Sequence, residues 1–156
     1  MNYKIREAQS PEAEILSDLA FRSKAYWGYS TEFMALCRDE LTYTAEQIQG
    51  DRFCFFVAAR ENSILGFYAI EWRSPDAAEL EGIFVEPWCI GQGVGRALIE
   101  HAKNKAREFG ASTLLVQSDP NAEGFYLAAG GHPIGQRESD SIPGRYLPIL
   151  SISLQT

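Results

Sequence analysis

Apolar and polar positions change period several times along the chain, and the changes divide it into strands and helices. Residues 3–8 alternate, the period of a strand with one covered face. Ser10-Pro11-Glu12 reads as a helix start, with Ser at the cap, Pro at the first helical position and an acid in the first turn. Ile15, Leu16, Leu19 and Ala20 follow as an apolar stripe at helical spacing. Ser30-Thr31-Glu32 starts a second helix carrying Phe33, Met34, Leu36 and Cys37, and residues 44–49 form a short third turn. Residues 53–59 and 64–72 are strand-like runs rich in aromatic and branched side chains, joined by a hairpin turn at Glu61-Asn62-Ser63. After a turn at Ser74-Pro75-Asp76 comes a further strand at 79–85. Glycines 91, 93 and 95 then introduce a helix to about Phe109, with Val94, Leu98, Ala102, Ala106 and Phe109 on its apolar side and Gly110 as its cap. Residues 113–117 are a strand, 121–129 a helix stopped by Gly130-Gly131, and 134–138 and 146–154 the last two strands.

The order is β-α-α-β-β-β-α-β-α-β-β, which predicts a mixed α+β sheet covered by helices. No repeat, low-complexity tract or linker interrupts it, so residues 1–156 read as a single domain. A chain of this length buries roughly 68–70% of its unfolded surface. It therefore needs no metal or disulfide to hold a core. With 46% hydrophobic residues against 22% charged, it is too apolar to be disordered.

Charge and cysteine content narrow the partners. The formal net charge of −7 disfavours nucleic acid, which wants a basic patch, and favours encounter with cations such as amines. Cys37, Cys54 and Cys89 are odd in number and lack a C-x-x-C spacing, so neither a disulfide framework nor a metal site is expected. Cys54, within an apolar run, reads as a small core residue. Reduced thiols fit a cytoplasmic protein. The first residues carry no apolar segment of the kind a signal peptide needs, and no apolar run is long enough to cross a bilayer.

The chemistry concentrates in residues 84–98, where a strand enters a glycine-rich turn and the turn enters a helix. The first turn of a helix has unpaired N–H groups and a partial positive charge. Glycines let those groups approach an anion without a Cβ in the way. Arg96 adds a full charge nearby. The spacing G-x-G-x-G, without a following Lys, fits neither the P-loop nor the dinucleotide loop.

The run Val85-x-Pro87-x-x-x-Gly91-x-Gly93-Val94-Gly95-x-x-Leu98 resembles the acetyl-CoA signature of the GNAT superfamily of N-acetyltransferases. A second segment, Asp119-Pro120-Asn121-Ala122-Glu123-Gly124-Phe125-Tyr126, followed by Gly130, resembles that family's other signature. The resemblance implies a twisted, mostly antiparallel sheet of about seven strands flanked by helices. It also implies acetyl-CoA as co-substrate, no metal, an amine acceptor, and a homodimer. It carries cofactor binding to Ile83, Phe84 and Val85, to Ile90, Gly91, Gln92, Gly93, Val94, Gly95 and Arg96, and to Asn121, Phe125 and Tyr126. Two positions depart from the pattern. Ile90 stands where Arg or Gln is usual, removing one side-chain contact, and Gly131-His132 stands where Gly-Phe is usual.

Acetyl transfer needs a neutral amine, an acceptor for its proton, donors for the oxyanion and a proton for the leaving thiolate. The resemblance gives the last role to the Tyr126 hydroxyl and the oxyanion to the backbone N–H of Val85. Glu79 and Glu81 are the candidate bases, since period two puts both on one face of the strand leading to Val85. The Glu79-Leu80-x-x-Ile83-x-Val85 pattern favours Glu79, and a plain role as solvated or ion-paired sheet residues stays open for both. His101 reads as an exposed mid-helix residue, and His132 as a strand residue with a backbone partner.

On the acceptor side, Tyr26, Trp27 and Tyr29 cluster in a connection between helices, where they hold an acceptor or pack the helices together. Ser141 and Arg145 lie in the loop between the last two strands and suit a carboxylate. The expected activity is acetylation of a small-molecule amine, with no nucleic-acid or membrane partner. Acetylation of protein N-termini or lysines, and a non-catalytic acyl-CoA-binding module, are the alternatives.

Overall fold

The computed structural model of the chain describes residues 2–155. Seven strands form one sheet: β1 (Lys4–Glu7), β2 (Phe53–Arg60), β3 (Ser63–Ser74), β4 (Ala77–Val85), β5 (Thr113–Gln117), β6 (Gly131–Glu138) and β7 (Tyr146–Ser153). The helices are α1 (Ala13–Ala25), α2 (Thr31–Cys37), α3 (Ala45–Gln49), α4 (Val94–Glu108) and α5 (Glu123–Ala128). The strand order is β1-β2-β3-β4-β5-β7-β6, and only β4 and β5 are parallel. The element order predicts the mixed α+β sheet, and the resemblance implies its mostly antiparallel, seven-stranded form; both are found.

Both faces of the sheet are covered, which is why its central strands are apolar runs rather than alternations. Phe55, Val57, Phe67 and Ala69 pack on one face with Leu16, Leu19 and Ala20 of α1 and Met34 and Cys37 of α2. Phe56, Ala58, Tyr68 and Ile70 pack on the other with Val94, Leu98, Ile99 and Ala102 of α4.

Several local details differ from the expectations. The first helix starts as a 3-10 turn at Ser10–Glu12, with Gln9 rather than Ser10 at the cap; the Glu12 carboxylate accepts from the Gln9 N–H at 2.8 Å. Leu36 is 60% exposed, because a helix of two turns turns only Met34 and Cys37 inward. Phe109 is also exposed, lying on the Trp72 ring at a centroid distance of 5.0 Å. The hairpin turn is the two residues Glu61 and Asn62, with Glu61 in the left-handed region at φ 54. Asp119, not Asn121, caps the helical segment after β5, accepting from the Asn121 N–H at 2.8 Å. His101 is half-buried, because the fully buried Tyr68 hydroxyl needs a partner and finds its Nδ1 at 2.8 Å. Desolvation first, and then Lys105, hold the His101 pKa low. His132 lies exposed on β6.

One irregularity shapes the molecule. β4 pairs with β5 only from Ala77 to Leu80, then continues to Val85 beside β3 alone. At the point of parting, Ala69 pairs with Gly82 and Ile70 with Leu80, so Glu81 is an extra residue on β4. Such a bulge bends its strand and strengthens the local twist. A wedge-shaped cleft opens between the diverging strands.

Candidate active site

The cleft has two lobes. One, of about 370 Å³, lies against the glycine loop. The other, of about 430 Å³, runs beneath α1 and along the bulged part of β4. Ser23, Trp27, Ile83, Ala122 and Tyr126 line both and mark the passage between them.

In the first lobe, Gly91 and Gly93 have φ of 86 and 89, which L side chains adopt only with strain. A Cβ built on either meets nothing within 4 Å, so it would project into open space beside the exposed backbone. Ala97 donates to the Gly93 carbonyl at 3.0 Å, the first bond of α4, so Val94, Gly95 and Arg96 supply the unpaired N–H groups of its first turn. Gly95 faces the Phe125 ring, where a Cβ would lie in contact at 3.4 Å. Ile90, Gly91, Gly93, Gly95, Arg96 and Phe125 line this lobe, as do Ile83, Val85 and Cys89. A ring of polar N–H donors beside an apolar wall fits a pyrophosphate with a pantetheine arm. Gln92 turns away and donates to the Trp88 carbonyl, and Val94 is buried in the core. Phe84 faces the second lobe.

Tyr126 stands at the passage and is 6% exposed. Its hydroxyl bonds to no protein atom, yet among the described residues no buried side-chain oxygen or nitrogen lacks a partner; the hydroxyl therefore meets the cleft. Burial first, and then Asp119, push its pKa up, so it stays protonated. The Val85 N–H, on the side of β4 that β5 has left, donates to Ser23 Oγ at 3.2 Å. The adjacent Arg22 pairs with Glu86 at 2.8 Å, fastening α1 to the end of β4.

The second lobe holds both candidate carboxylates. Glu79 is 7% exposed and ion-paired to Arg73 at 3.4 Å and Arg137 at 3.2 Å. Glu81 contacts no cation so closely; it is an exposed residue that lines the lobe. Desolvation first, then the charges of Glu71, Glu79 and Glu40, push its carboxyl up to about 7, against an opposing pull from Arg73. Each of these causes disfavours the ionised form or, for Arg73, favours it.

The residues singled out for the acceptor are placed differently from one another. Trp27 lines both lobes, while Tyr26, Tyr29, Ser141 and Arg145 line neither. Tyr29 donates to Asp119 at 2.7 Å and accepts from Asn121 at 3.0 Å and Arg145 at 2.9 Å. Burial first, and then Asp119, push the Tyr29 hydroxyl up to about 12. Arg145 also lies over the Phe33 ring at 4.9 Å and 3.6 Å from Asp119. Lys24 pairs with the same carboxylate at 3.4 Å. Asn121 is likewise committed to this knot, which ties the α1–α2 connection and the β6–β7 loop to the end of β5. Sequence reasoning missed Arg52, Arg73 and Arg137, which do line the second lobe. They come from a loop, a strand and a distant edge strand, and no spacing along the chain connects them. Among the described residues no group of three or more His, Cys, Asp or Glu side chains is arranged to hold a metal ion, and no helix is long and apolar enough to cross a membrane.

Comparison with known proteins identifies the family and the fold. The model of the acetyltransferase (GNAT) family matches residues 16–130. The peptidyl-lysine N-acetyltransferase YjaB of Escherichia coli K12 is 34% identical over 89 residues, 57% of this chain and 55% of that protein. Its Salmonella typhimurium counterpart is 33% identical over 73 residues, 47% of this chain and 48% of that one. The chain thus spans about half the length of the curated relatives it matches. In three dimensions it is similar to the PaiA N-acetyltransferase of Thermoplasma acidophilum in complex with coenzyme A, with a TM-score of 0.78 at 16% identity, covering 98% of this chain and 99% of that one. It is similar also to the ribosomal-protein-S18-alanine N-acetyltransferase of Escherichia coli, with a TM-score of 0.74 at 22% identity, covering 99% and 96%.

Proposed function

The chain belongs to the acetyltransferase (GNAT) family, and we propose that it transfers the acetyl group of acetyl-CoA to the amine of a small-molecule acceptor. The observation that carries this reading is the two-lobed cleft with Tyr126 at its passage, a phosphate cradle on one side and an acid-rich chamber on the other. Acetyl-CoA lies in the first lobe, with its pyrophosphate on the N–H groups of Val94, Gly95 and Arg96. Its thioester reaches the Val85 N–H.

Glu81 takes the proton of the incoming ammonium, and the freed nitrogen pair forms a bond to the thioester carbon. The Val85 N–H, released from Ser23, receives the charge on the carbonyl oxygen. As that charge returns, the C–S bond breaks and Tyr126 gives its proton to the departing thiolate, while the second proton of the attacking nitrogen passes through solvent in the cleft to restore the Tyr126 hydroxyl. Glu81 suits the base role better than Glu79 because no guanidinium holds its proton-accepting oxygens. Its pKa near 7 leaves about half of it ionised at neutral pH.

Acetylation of peptidyl lysine is the second reading, favoured by what the YjaB relatives are named for. Release of free thiol from acetyl-CoA, followed over a panel of small amines beside lysine-containing peptides, tests both. Turnover of small amines alone supports the first reading, turnover of peptides alone the second. Acetyl-CoA binding without turnover of either class leaves a binding module.

A further inference from the structure

Glu71 on β3 and Glu79 on β4 are directly opposed in the sheet register and both are buried. Two like charges facing one another across a strand pair repel, so they need cations, and two would neutralise them. Three are present. Arg52 grips Glu71, its Nε at 2.6 Å from Oε2. Arg73 reaches Glu71 at 3.0 Å and Glu79 at 3.4 Å through one nitrogen, Nη2. Arg137 comes across from the edge strand β6 and donates to Glu79 at 3.2 Å and to the Gln117 side-chain Oε1 at 3.1 Å, both through Nη1.

With Glu81 in the same lobe the three guanidiniums balance three carboxylates, so what the arginines have to spare is hydrogen-bond donors rather than charge. A guanidinium has five N–H donors in a fork that matches a carboxylate. Arg73 and Arg137 use few of theirs here. Both are nearly half exposed, at 47% and 44% of the side chain, and both line the acceptor lobe. The same lobe carries Glu81 and Tyr126, so a carboxylate that attracts an ammonium and guanidiniums that suit a carboxylate line one chamber. Its volume of about 430 Å³ is at the small-molecule scale.

We propose that Arg73 and Arg137 form a subsite for a carboxylate on the acceptor, which makes the acceptor an aminocarboxylate of amino-acid size. This rests on the proposed placement of the amine in the same lobe. Arg145, the residue whose loop position suggested this task, has its charge spent on Asp119 and its donors on Tyr29.

The test uses binding as well as turnover. The L-amino acids, β-alanine and 4-aminobutyrate are titrated calorimetrically into the intact protein with saturating coenzyme A, each beside its carboxamide. At least one acid is expected to bind about tenfold or more tighter than its amide, the scale of hydrogen bonds between charged groups. R137Q is expected to reduce that ratio toward one, and R137K to keep part of it. R137Q leaves Glu79 paired with Arg73 and keeps an amide donor on β6, so its thermal midpoint is expected to stay within a few degrees of the parent's. Acids binding no better than amides throughout the panel, or an R137Q protein that keeps the full ratio, overturns the subsite. Carboxylate-dependent binding without acetylation of any amine would instead sink the transfer reading and leave the subsite standing.

Discussion

Replacing Glu81 by Gln removes the proposed base and keeps the shape of the cleft. An alkyl amine with a pKa near 10.4 must lose its proton before attack, and at neutral pH that costs roughly 4.6 kcal/mol. Desolvation first, and then the neighbouring carboxylates, raise the Glu81 carboxyl from its ordinary 4.5 to about 7. Proton transfer from such an amine becomes easier by about 3 kcal/mol than to an ordinary carboxylate. Solvent on the open side of the cleft trims that figure. The sign of the pH response follows. Protonated Glu81 cannot act, so kcat/KM should fall about tenfold for each pH unit below 7 and level off above it, until the amine itself titrates. In E81Q the rate at neutral pH should drop about 10²–10⁴-fold. The inflection near 7 should vanish, leaving a rate that climbs with the neutral amine alone. The assay is thiol release from saturating acetyl-CoA between about pH 5.5 and 10 with the amine varied below its KM. A loss below about threefold, with the inflection near 7 still present in E81Q, would refute the assignment.

Three further outcomes are expected. Y126F should lower kcat by about 10²-fold with a thermal midpoint within a few degrees of the parent, since the hydroxyl holds no protein partner; unchanged kcat removes Tyr126 from proton donation. G93D forces a side chain onto a backbone at φ 89 and sets a negative charge beside the cradle, so acetyl-CoA affinity by calorimetry should fall at least about tenfold. Dephospho-CoA should then be affected in parallel, because the lesion lies at the pyrophosphate. D119N breaks the knot of Lys24, Tyr29, Asn121 and Arg145 and should cost about 1–3 kcal/mol, a fall in midpoint of roughly 3–10 °C. Burial alone would raise the Asp119 carboxyl, but the Asn121 N–H, the Tyr29 hydroxyl and Lys24 outweigh it and hold it low. A depressed native pKa means that this stability is present above the ordinary value of 3.8 and disappears as pH falls through the lower, native one. The gap between parent and D119N midpoints should therefore close in acid.

What could be read from the chain was local in origin. The α4 stripe of Val94, Leu98, Ala102 and Ala106 is buried as its spacing predicts, and β5 spans residues 113–117 as read. The glycine loop was legible because a strand, a turn and a helix terminus adjacent in sequence make the cradle together. The second chamber was not legible, for a physical reason. Its charged wall is assembled from residues 52, 71, 73, 79 and 137, brought together by strand pairing, and pairing follows from packing rather than from any residue's neighbours in sequence. Arg145 shows the converse: a loop arginine with apparent freedom is consumed by Asp119 and Tyr29 from elements far away in the chain.

The bulge at Glu81 joins the fold to the chemistry. Without the extra residue, β4 would keep step with β3 through Val85, and strict alternation would fix which face each later side chain takes. With it, Leu80 and Ala78 pack under α4, and so do Ile83 and Val85 beyond the bulge, although the two pairs differ in parity. The carboxylate of Glu81 is left on the chamber side with Glu79. The same irregularity marks where β5 and β4 part, which leaves the Val85 N–H without a strand partner and lets Ser23 of α1 approach it. A backbone donor facing the cleft, a carboxylate with a raised pKa and the opening between two parallel strands therefore share one structural cause. Shortening β4 by the residue at position 81 should remove all three together, whereas E81Q removes only the carboxylate.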